Sequence, residues 1–325
     1  MADVAQLLAR ATDVRPFVSA DGKSGAALER VDIDGRSHVV KRVAFRDDWL
    51  MQAIGDVDGA AVKAWDGGLF DRLPPCIDHA TVAMECRMTD DGPEIVAVMR
   101  DMVESLVPEG DGPVTPRQHR QFLDHMAAMH AHFWGWTDDL GLIGLAQRYS
   151  LMTPARITVA GNASPDAIVP PLILRGWQAL PGRASQMAQT LFALHADPGP
   201  LVDAMATSPT TFLHGDWKMA NLGTTADGRT VLVDWSFPGA GPATAELAHY
   251  LALNRARMPQ AKDGAIAAYR TSLERHGVAT EPWWRRQLTL SLLGIMCALG
   301  WEKALGDEAE LRWWEARVAE GAALL

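Results

Sequence analysis

His214-Gly215-Asp216-Trp217-Lys218-Met219-Ala220-Asn221, followed by Val233-Asp234-Trp235, sets out a carboxylate, an ammonium, an amide and a second carboxylate in an order that phosphoryl transfer can use. That chemistry asks a protein mainly to position groups and neutralise charge, because its transition state is loose and its charge is spread over oxygens. Between the two halves, Leu222 to Leu232 reads as two short strands joined at Asp227-Gly228, a strong two-residue hairpin signal. With those residues as the loop, Ala226 faces Arg229, Thr225 faces Thr230, and outward counting sets Asn221 directly opposite Asp234. Opposed residues carry Cβ atoms roughly 4.5–5.5 Å apart, so an amide oxygen and a carboxylate are expected to converge on one point, as the hard oxygen ligands of Mg2+ do. Asp216 is expected on the loop leading into the hairpin, within reach of a substrate hydroxyl. An ordinary hairpin with exposed polar ends could carry the same turn, but it has no need of the full order of groups around it.

The segment resembles the catalytic loop and metal-binding segment of the aminoglycoside phosphotransferase and choline kinase families, small-molecule kinases with a protein-kinase-like fold. Those families carry His-Gly-Asp-x4-Asn and, further on, a metal-binding Asp. The resemblance implies that Asp216 is the catalytic base, that Asn221 and Asp234 hold Mg2+, and that Lys218 supports the γ-phosphate of ATP. It also implies an α+β, two-lobe fold. A small β-rich nucleotide-binding lobe would span residues 1–102 and end in the hinge, and a larger, mainly helical, catalytic and acceptor-binding lobe would span 103–325. A carboxylate with an ordinary pKa near ~3.9 is a weak base towards an alcohol, so Asp216 would chiefly orient the hydroxyl and accept its proton late.

Such a site needs a nucleotide pocket upstream. Ser19 to Gly25 is a small-residue segment before the strand-like Ala27 to Ile33; Asp34-Gly35 supplies a hairpin turn, and Ser37 to Val43 returns. Counting from that turn sets Lys41 opposite Leu28, near the root of the loop. In the resembling families the loop covers the phosphates and a lysine on the third strand binds them, which makes Ser24, Gly25 and Lys41 the candidates. Gly22-Lys23-Ser24 is not a P-loop: Phe17 stands where that motif requires its first glycine, and a strand pattern rather than a helix follows. Glu94 to Met99 runs into Arg100-Asp101-Met102 and resembles the interlobe hinge whose backbone binds adenine, so Met99, Arg100 and Met102 join the nucleotide-site candidates. Kinases usually pair the third-strand lysine with a helix Glu, yet no Glu occurs between Lys41 and Glu85. The expected helix from Asp47 to Trp65 offers Asp56 or Asp58 instead, unless the pair is absent.

The chain has 325 residues, 48% hydrophobic and 22% charged, enough for one large or two smaller cores. A formal net charge of −10 argues against a nucleic-acid partner. Three cysteines without metal-ligand spacing point to a reduced, cytoplasmic setting, and Met1 to Ala11 lacks the basic start and apolar core of a signal peptide. The longest apolar run, Leu288 to Trp301, falls short of the ~20 residues of a membrane span, so it is expected to be a buried helix and no membrane partner is expected.

Strand-like alternation dominates to about Met102, and helical periodicity follows. Pro116 opens a helix through Phe133; Thr153 to Gly182 is expected to be loop and short helix; further helices are expected over Pro242 to Ala256, Lys262 to His276, Pro282 to Leu305 and Asp307 to Leu324. Glu246 falls where the resembling families commonly have an Asp that buttresses the catalytic loop, and it is read as structural. His125, His130 and His132 are not spaced for one helix face, which argues against zinc. The pairs Trp283-Trp284 and Trp313-Trp314 either pack helices together or wall an acceptor pocket. The expected activity is ATP- and Mg2+-dependent phosphorylation of a hydroxyl on a small molecule such as an aminoglycoside, amino alcohol or sugar-like metabolite. The alternative is a catalytically weak nucleotide-binding regulator of the same fold. Acceptor identity and oligomeric state are left open by the sequence.

Overall fold

Residues 3–17 and 25–325 are described by a computed structural model. A short helix α1 (Val4–Leu8) precedes the strands β1 (Ala11–Pro16), β2 (Ala27–Ile33) and β3 (Arg36–Ala44). The β2–β3 turn is the expected two-residue one: Ile33 pairs with Arg36, and Asp34 and Gly35 both take positive φ, 55° and 76°, the backbone that matches the twist of flanking strands. Leu28 accordingly faces Lys41.

The expected single helix over 47–65 is two. Helix α2 (Trp49–Ile54) ends at Gly55 and α3 (Ala60–Asp66) begins after Gly59. Asp48 caps the first, accepting from the Met51 amide at 2.7 Å, and buried Asp56 caps the second, both its oxygens lying 3.0 Å from the Ala60 amide. After the short strand β4 (Ile77–Asp78) come β5 (Thr81–Thr89) and β6 (Gly92–Arg100), which complete an antiparallel five-stranded sheet of order β1-β2-β3-β6-β5.

Period-two alternation gives this sheet two different faces. Val31, Ile33, Val40, Ala83, Val96 and Val98 pack with Val4 and Leu7 of α1 in a small core. The intervening Val39, Lys41, Val43, Ala97 and Met99 face the other way and roof a large cavity.

Helices dominate the rest: α4 (Pro116–His132), α5 (Leu145–Ser150), α6 (Pro154–Ala163), α7 (Val169–Arg183), α8 (Ser185–Ala196) and α9 (Gly199–Met205). The Thr153 to Gly182 stretch is therefore mostly helical, contrary to expectation. Thr153 caps α6 with Pro154 in its first turn, and α7 also carries proline at its start and Pro181 only in its last turn. Prolines at those positions start or end helices without breaking them. The short strands β7 (Thr211–Leu213), β8 (Leu222–Thr224), β9 (Thr230–Leu232) and β10 (Gly239–Gly241) follow, then α10 (Ala243–Leu253), α11 (Lys262–Arg275), α12 (Trp284–Leu305) and α13 (Glu308–Ala322). β4 runs parallel to β9, so a segment from the sheet region joins the hairpin's own three-stranded sheet.

The large core gathers Phe122, Met126, Trp177, Leu191, Leu247 and Leu290 from α4, α7, α8, α10 and α12, together with Trp49 and Trp65 from α2 and α3. By length and composition α12 could cross a membrane, but 67% of its apolar window is buried inside the protein. The tryptophan pairs pack helices. Trp283 lies 5.1 Å from the Trp134 ring, Trp284 stacks on Tyr269, and Lys262 sits over Trp313; none of the four lines the cavity beneath the sheet.

Candidate active site

The catalytic hairpin has one more loop residue than expected. Thr225 donates to the Arg229 carbonyl at 3.0 Å, Gly228 donates to the Thr225 carbonyl at 3.0 Å, and Gly228 takes φ +86°. This is a turn followed by a left-handed glycine, and its loop is Ala226-Asp227-Gly228. The register slips by one: Thr224 faces Thr230, Leu222 faces Leu232, and the Val233 amide donates to the Asn221 carbonyl at 3.0 Å. Asn221 is thus opposite Val233, not Asp234. A one-residue slip sends a side chain to the other face of a ribbon, yet Asp234 leaves the strand at φ +62°. Both Asn221 and Asp234 line the same cavity. The convergence arises from a left-handed aspartate instead of from cross-strand pairing.

The Asp216 loop is tied down from three sides. Glu246 on α10 accepts the amide of Gly215 at 2.5 Å through one oxygen, and the amide of His214 at 3.3 Å through the other, which also lies 2.9 Å from His130 Nε2. Burial pushes the Glu246 pKa up, but the bond and charge of His130 and the Gly215 amide outweigh it and hold the carboxyl below its usual range. Buried His214 accepts the Asp216 amide on Nδ1 at 3.2 Å and donates from Nε2 to the Val233 carbonyl at 3.0 Å, so a neutral ring links the loop to the strand that carries Asp234. Burial lowers its pKa and favours that neutral form. From the far side, Asn254 accepts the Met219 amide at 2.7 Å. Gly215 takes φ +86°, and a Cβ there would stand 2.1 Å from the Phe237 carbonyl oxygen, so no side chain fits.

Around Asp216 the polar groups are close. Asn221 Nδ2 donates to its Oδ2 at 2.8 Å and to its carbonyl at 3.0 Å, and Lys218 Nζ lies 2.9 Å from the same Oδ2. His249 Nε2 is 3.4 Å from Oδ1. Asp234 accepts from Lys41 at 2.7 Å and from the Ser236 hydroxyl at 2.5 Å. Burial pushes the Asp234 pKa up, but the charges of Lys41 and Lys218 and the bonds from Lys41 and Ser236 prevail, so it stays far below the carboxylate norm. Lys41 therefore has neither Asp56 nor Asp58 as its partner: Asp56 caps α3, and Asp58 pairs with Lys63 at 3.0 Å.

Asp216, Lys218, Asn221, His249, Asp234, Ser236 and Lys41 open on one cavity of about 820 Å³ between the sheet and the helices. Met99, Arg100 and Met102 line it, as Lys41 does. Asp101 between them is anchored by Arg30 at 2.7 Å and the Ser37 hydroxyl at 2.8 Å, and buried Asp78 joins Arg100 to Arg229 of the hairpin. Gly25 does not line the cavity; a Cβ there would stand 2.3 Å from the Asp47 carbonyl oxygen, and Ala26 beside it takes the lining position. Ser24 lies outside the described residues.

A metal here would meet hard oxygens. The Asn221 bonds to Asp216 commit the amide nitrogen and turn over its oxygen to a ligand, and Asp234 carries an ionised carboxylate. Among the described residues no three His, Cys, Asp or Glu side chains cluster as a metal cage. Two protein oxygens suit Mg2+, which keeps several waters and phosphate oxygens in its shell.

Sequence reasoning missed His249 and Ser236. His249 follows Glu246 by one helical turn, a spacing that could have flagged it. Ser236 gave no such signal, because its contact depends on the left-handed turn at Asp234.

The model of the phosphotransferase enzyme family matches residues 105–283, more than half of the chain. Among solved structures, the choline kinase LicA from Streptococcus pneumoniae is 11% identical with a TM-score of 0.52, over 97% of this chain and 95% of that one. LicA in complex with AMP is 10% identical with a TM-score of 0.53, over 97% and 93%. A microcompartment-associated aminopropanol kinase is 13% identical with a TM-score of 0.51, over 99% and 96%. At such identities the likeness is one of fold. No curated protein sequence matches the chain significantly.

Proposed function

Since the chain belongs to the phosphotransferase enzyme family, we propose that it is a small-molecule kinase that moves the γ-phosphate of ATP to a hydroxyl of its acceptor with the help of Mg2+. The observation that carries this reading is the meeting of Asp216, Lys218, Asn221, Asp234 and Lys41 on one cavity. The choice of adenine nucleotide is supported by the AMP in the LicA structure and by Met99 and Arg100 at the end of β6 and Met102 just beyond it, which line the cavity.

In this reading the residues divide the work. Asp216 accepts a hydrogen bond from the acceptor hydroxyl through Oδ1, the oxygen not already engaged by Asn221 and Lys218. Its task is orientation, with the proton taken late, since a carboxylate is a weak base towards an alcohol. Lys218 and Lys41 supply positive charge where the transferring phosphoryl oxygens gather it. Asn221 and Asp234 hold Mg2+, which when bound neutralises phosphate charge. Residues 1–102 would form the nucleotide lobe and 103–325 the catalytic and acceptor lobe.

The reading as a catalytically weak regulator rested on a lysine without a helix carboxylate. Asp234 supplies Lys41 with a carboxylate, and no feature of the site favours that reading. The decisive experiment is ADP release with and without Mg2+ over a panel of aminoglycosides, choline, ethanolamine, homoserine, sugars and neutral alcohols. Mg2+-dependent release with at least one acceptor supports the proposal; Mg2+-independent ATP binding with no release across the panel overturns it.

A further inference from the structure

The helical half of the cavity has a chemical character of its own. Beneath Asp216 it is walled by α5, α10, α12 and the start of α7, with Leu151, Met152, Val169, Ile295 and Leu299 among its apolar side chains. A polycation would need carboxylates here, and a quaternary amine would need carboxylates or open aromatic ring faces. Among the described residues, these helices bring one carboxylate to the cavity, Glu246, and its oxygens are already taken by the amides of Gly215 and His214 and by His130; Asp216 stands above it, and Asp234, Asp48 and Asp56 line the cavity from other elements. Glu109 and Asp111, which also reach the cavity, are exposed on the segment that follows the hinge. Among the described residues, the full positive charge that α5, α7, α10 and α12 bring to the cavity is Arg148, whose guanidinium donates to the Phe237 carbonyl at 2.6 Å and whose Nε is buried without a partner.

Two more donors are left unmatched on the same wall. The Tyr149 residue is only 5% exposed, and its hydroxyl has no hydrogen-bond partner. That hydroxyl lies beside the cavity-lining Gly294, where an added Cβ would come within 3.2 Å of it. Burial pushes the phenol pKa up, so the group stays protonated and remains a donor. Trp301, also on the cavity, has a buried indole N–H without a partner. A buried donor left without a partner is costly, and both gain if a ligand brings an acceptor oxygen. Ser291 on the same wall is already satisfied, by Thr244 at 2.7 Å.

We infer that the acceptor is a neutral, mainly apolar alcohol carrying a carbonyl or ether oxygen, held by the Tyr149 hydroxyl and the Trp301 indole N–H with its own hydroxyl at Asp216. This rests on the kinase reading for the place of the hydroxyl, but the pocket's preference is a matter of binding and is tested without turnover. The probes are 4-acetylbenzyl alcohol, its carbonyl-free match 4-ethylbenzyl alcohol, choline and kanamycin. Each is titrated by ligand-observed NMR against the full chain and against Asp216→Asn, with a non-hydrolysable ATP analogue and Mg2+ present. The keto alcohol is expected to bind about tenfold more tightly than the ethyl alcohol, and the Tyr149→Phe substitution, which keeps the ring, is expected to erase that difference while leaving the ethyl compound and the nucleotide unaffected. Trp301→Phe is the second variant and should weaken the keto compound selectively. Tighter binding of choline or kanamycin than of either benzyl alcohol, equal binding of the benzyl pair, or no binding of the keto alcohol overturns the inference. Failure of the kinase reading is seen separately, as absence of ADP release despite bound acceptor.

Discussion

Lys41 on β3 donates to Asp234 Oδ1 at 2.7 Å, although 193 residues separate them in the chain. The bond ties the roof of the cavity to the end of the catalytic hairpin and occupies a lysine and a carboxylate that the proposed reaction needs for phosphate and metal. Nucleotide and Mg2+ must each draw one partner away. Lys41→Met should therefore raise the KM for ATP by about tenfold, while Mg2+ alone should bind the variant more tightly than the parent, because Asp234 is released. Calorimetric titration with Mg2+ and then with nucleotide reads both signs; equal Mg2+ affinity in the two proteins would show that the pair does not compete with the metal.

Asp216 differs in that its replacement should separate binding from chemistry. Its carboxylate lies 2.8 Å from Asn221 Nδ2 and 2.9 Å from Lys218 Nζ, and an asparagine can keep the shape of that cluster. Asp216→Asn should lower kcat by about 10²- to 10⁴-fold with nucleotide affinity within about twofold. Turnover near the parental rate, measured as ADP release with an active acceptor, would remove Asp216 as the group that receives the proton.

The contrast between the two hairpins explains what could be read from the sequence. Asp34-Gly35 sits between strands whose residues pair up to the turn, and counting from it set Lys41 opposite Leu28, as found. Asp227-Gly228 looks the same in sequence, but the Thr225 hydroxyl accepts the Arg229 amide at 2.9 Å and stabilises a longer loop. That side-chain bond slips the register and is invisible to a rule based on two turn residues. The Asp216 and Asn221 positions were legible because their spacing is local. The partner of Lys41 was not, because a sheet and a distant hairpin meet only in the tertiary fold. Proline misled in the Thr153 to Gly182 stretch for a related reason: whether it breaks or starts a helix depends on the turn in which it falls.

Glu246 gathers three donors on one buried carboxylate: the amides of Gly215 and His214, and His130. Removing it leaves all three unmatched next to Asp216. Glu246→Ala should cost about 3–5 kcal/mol, the range for breaking a buried charged pair, measured by urea unfolding. Glu246→Gln keeps the volume but turns an amide N–H towards a donor, so it should lower kcat by more than it weakens nucleotide binding. A variant with parental kcat would mean that the loop holds its shape without this support.

The last prediction concerns acid. His119 on α4 is 1% exposed, with Nδ1 2.8 Å from the Tyr250 hydroxyl and Nε2 2.9 Å from the Gln260 side-chain nitrogen. Gln260 donates, so Nε2 is the bare nitrogen and Nδ1–H donates to Tyr250: the ring is neutral. Burial, helped by the charge of Arg120, lowers its pKa from 6.5 to about 4. The unfolded chain thus takes up a proton near pH 6.5 that the folded chain refuses until about pH 4, and stability must fall as pH drops through that window. The group's full contribution is present above the window and, at pH 5, on the order of 2 kcal/mol of it is gone. Burial lowers the pKa values of His79, His125, His195, His214 and His249 as well, so the whole protein should lose stability steeply over the same range. His119→Gln should be less stable than the parent at pH 7.5, where the Tyr250 bond is weakened, yet lose less on going to pH 5. Urea unfolding of both proteins at the two pH values gives four free energies, and their double difference isolates the His119 proton. A double difference near zero would mean that this ring is protonated in the fold as readily as in the unfolded chain.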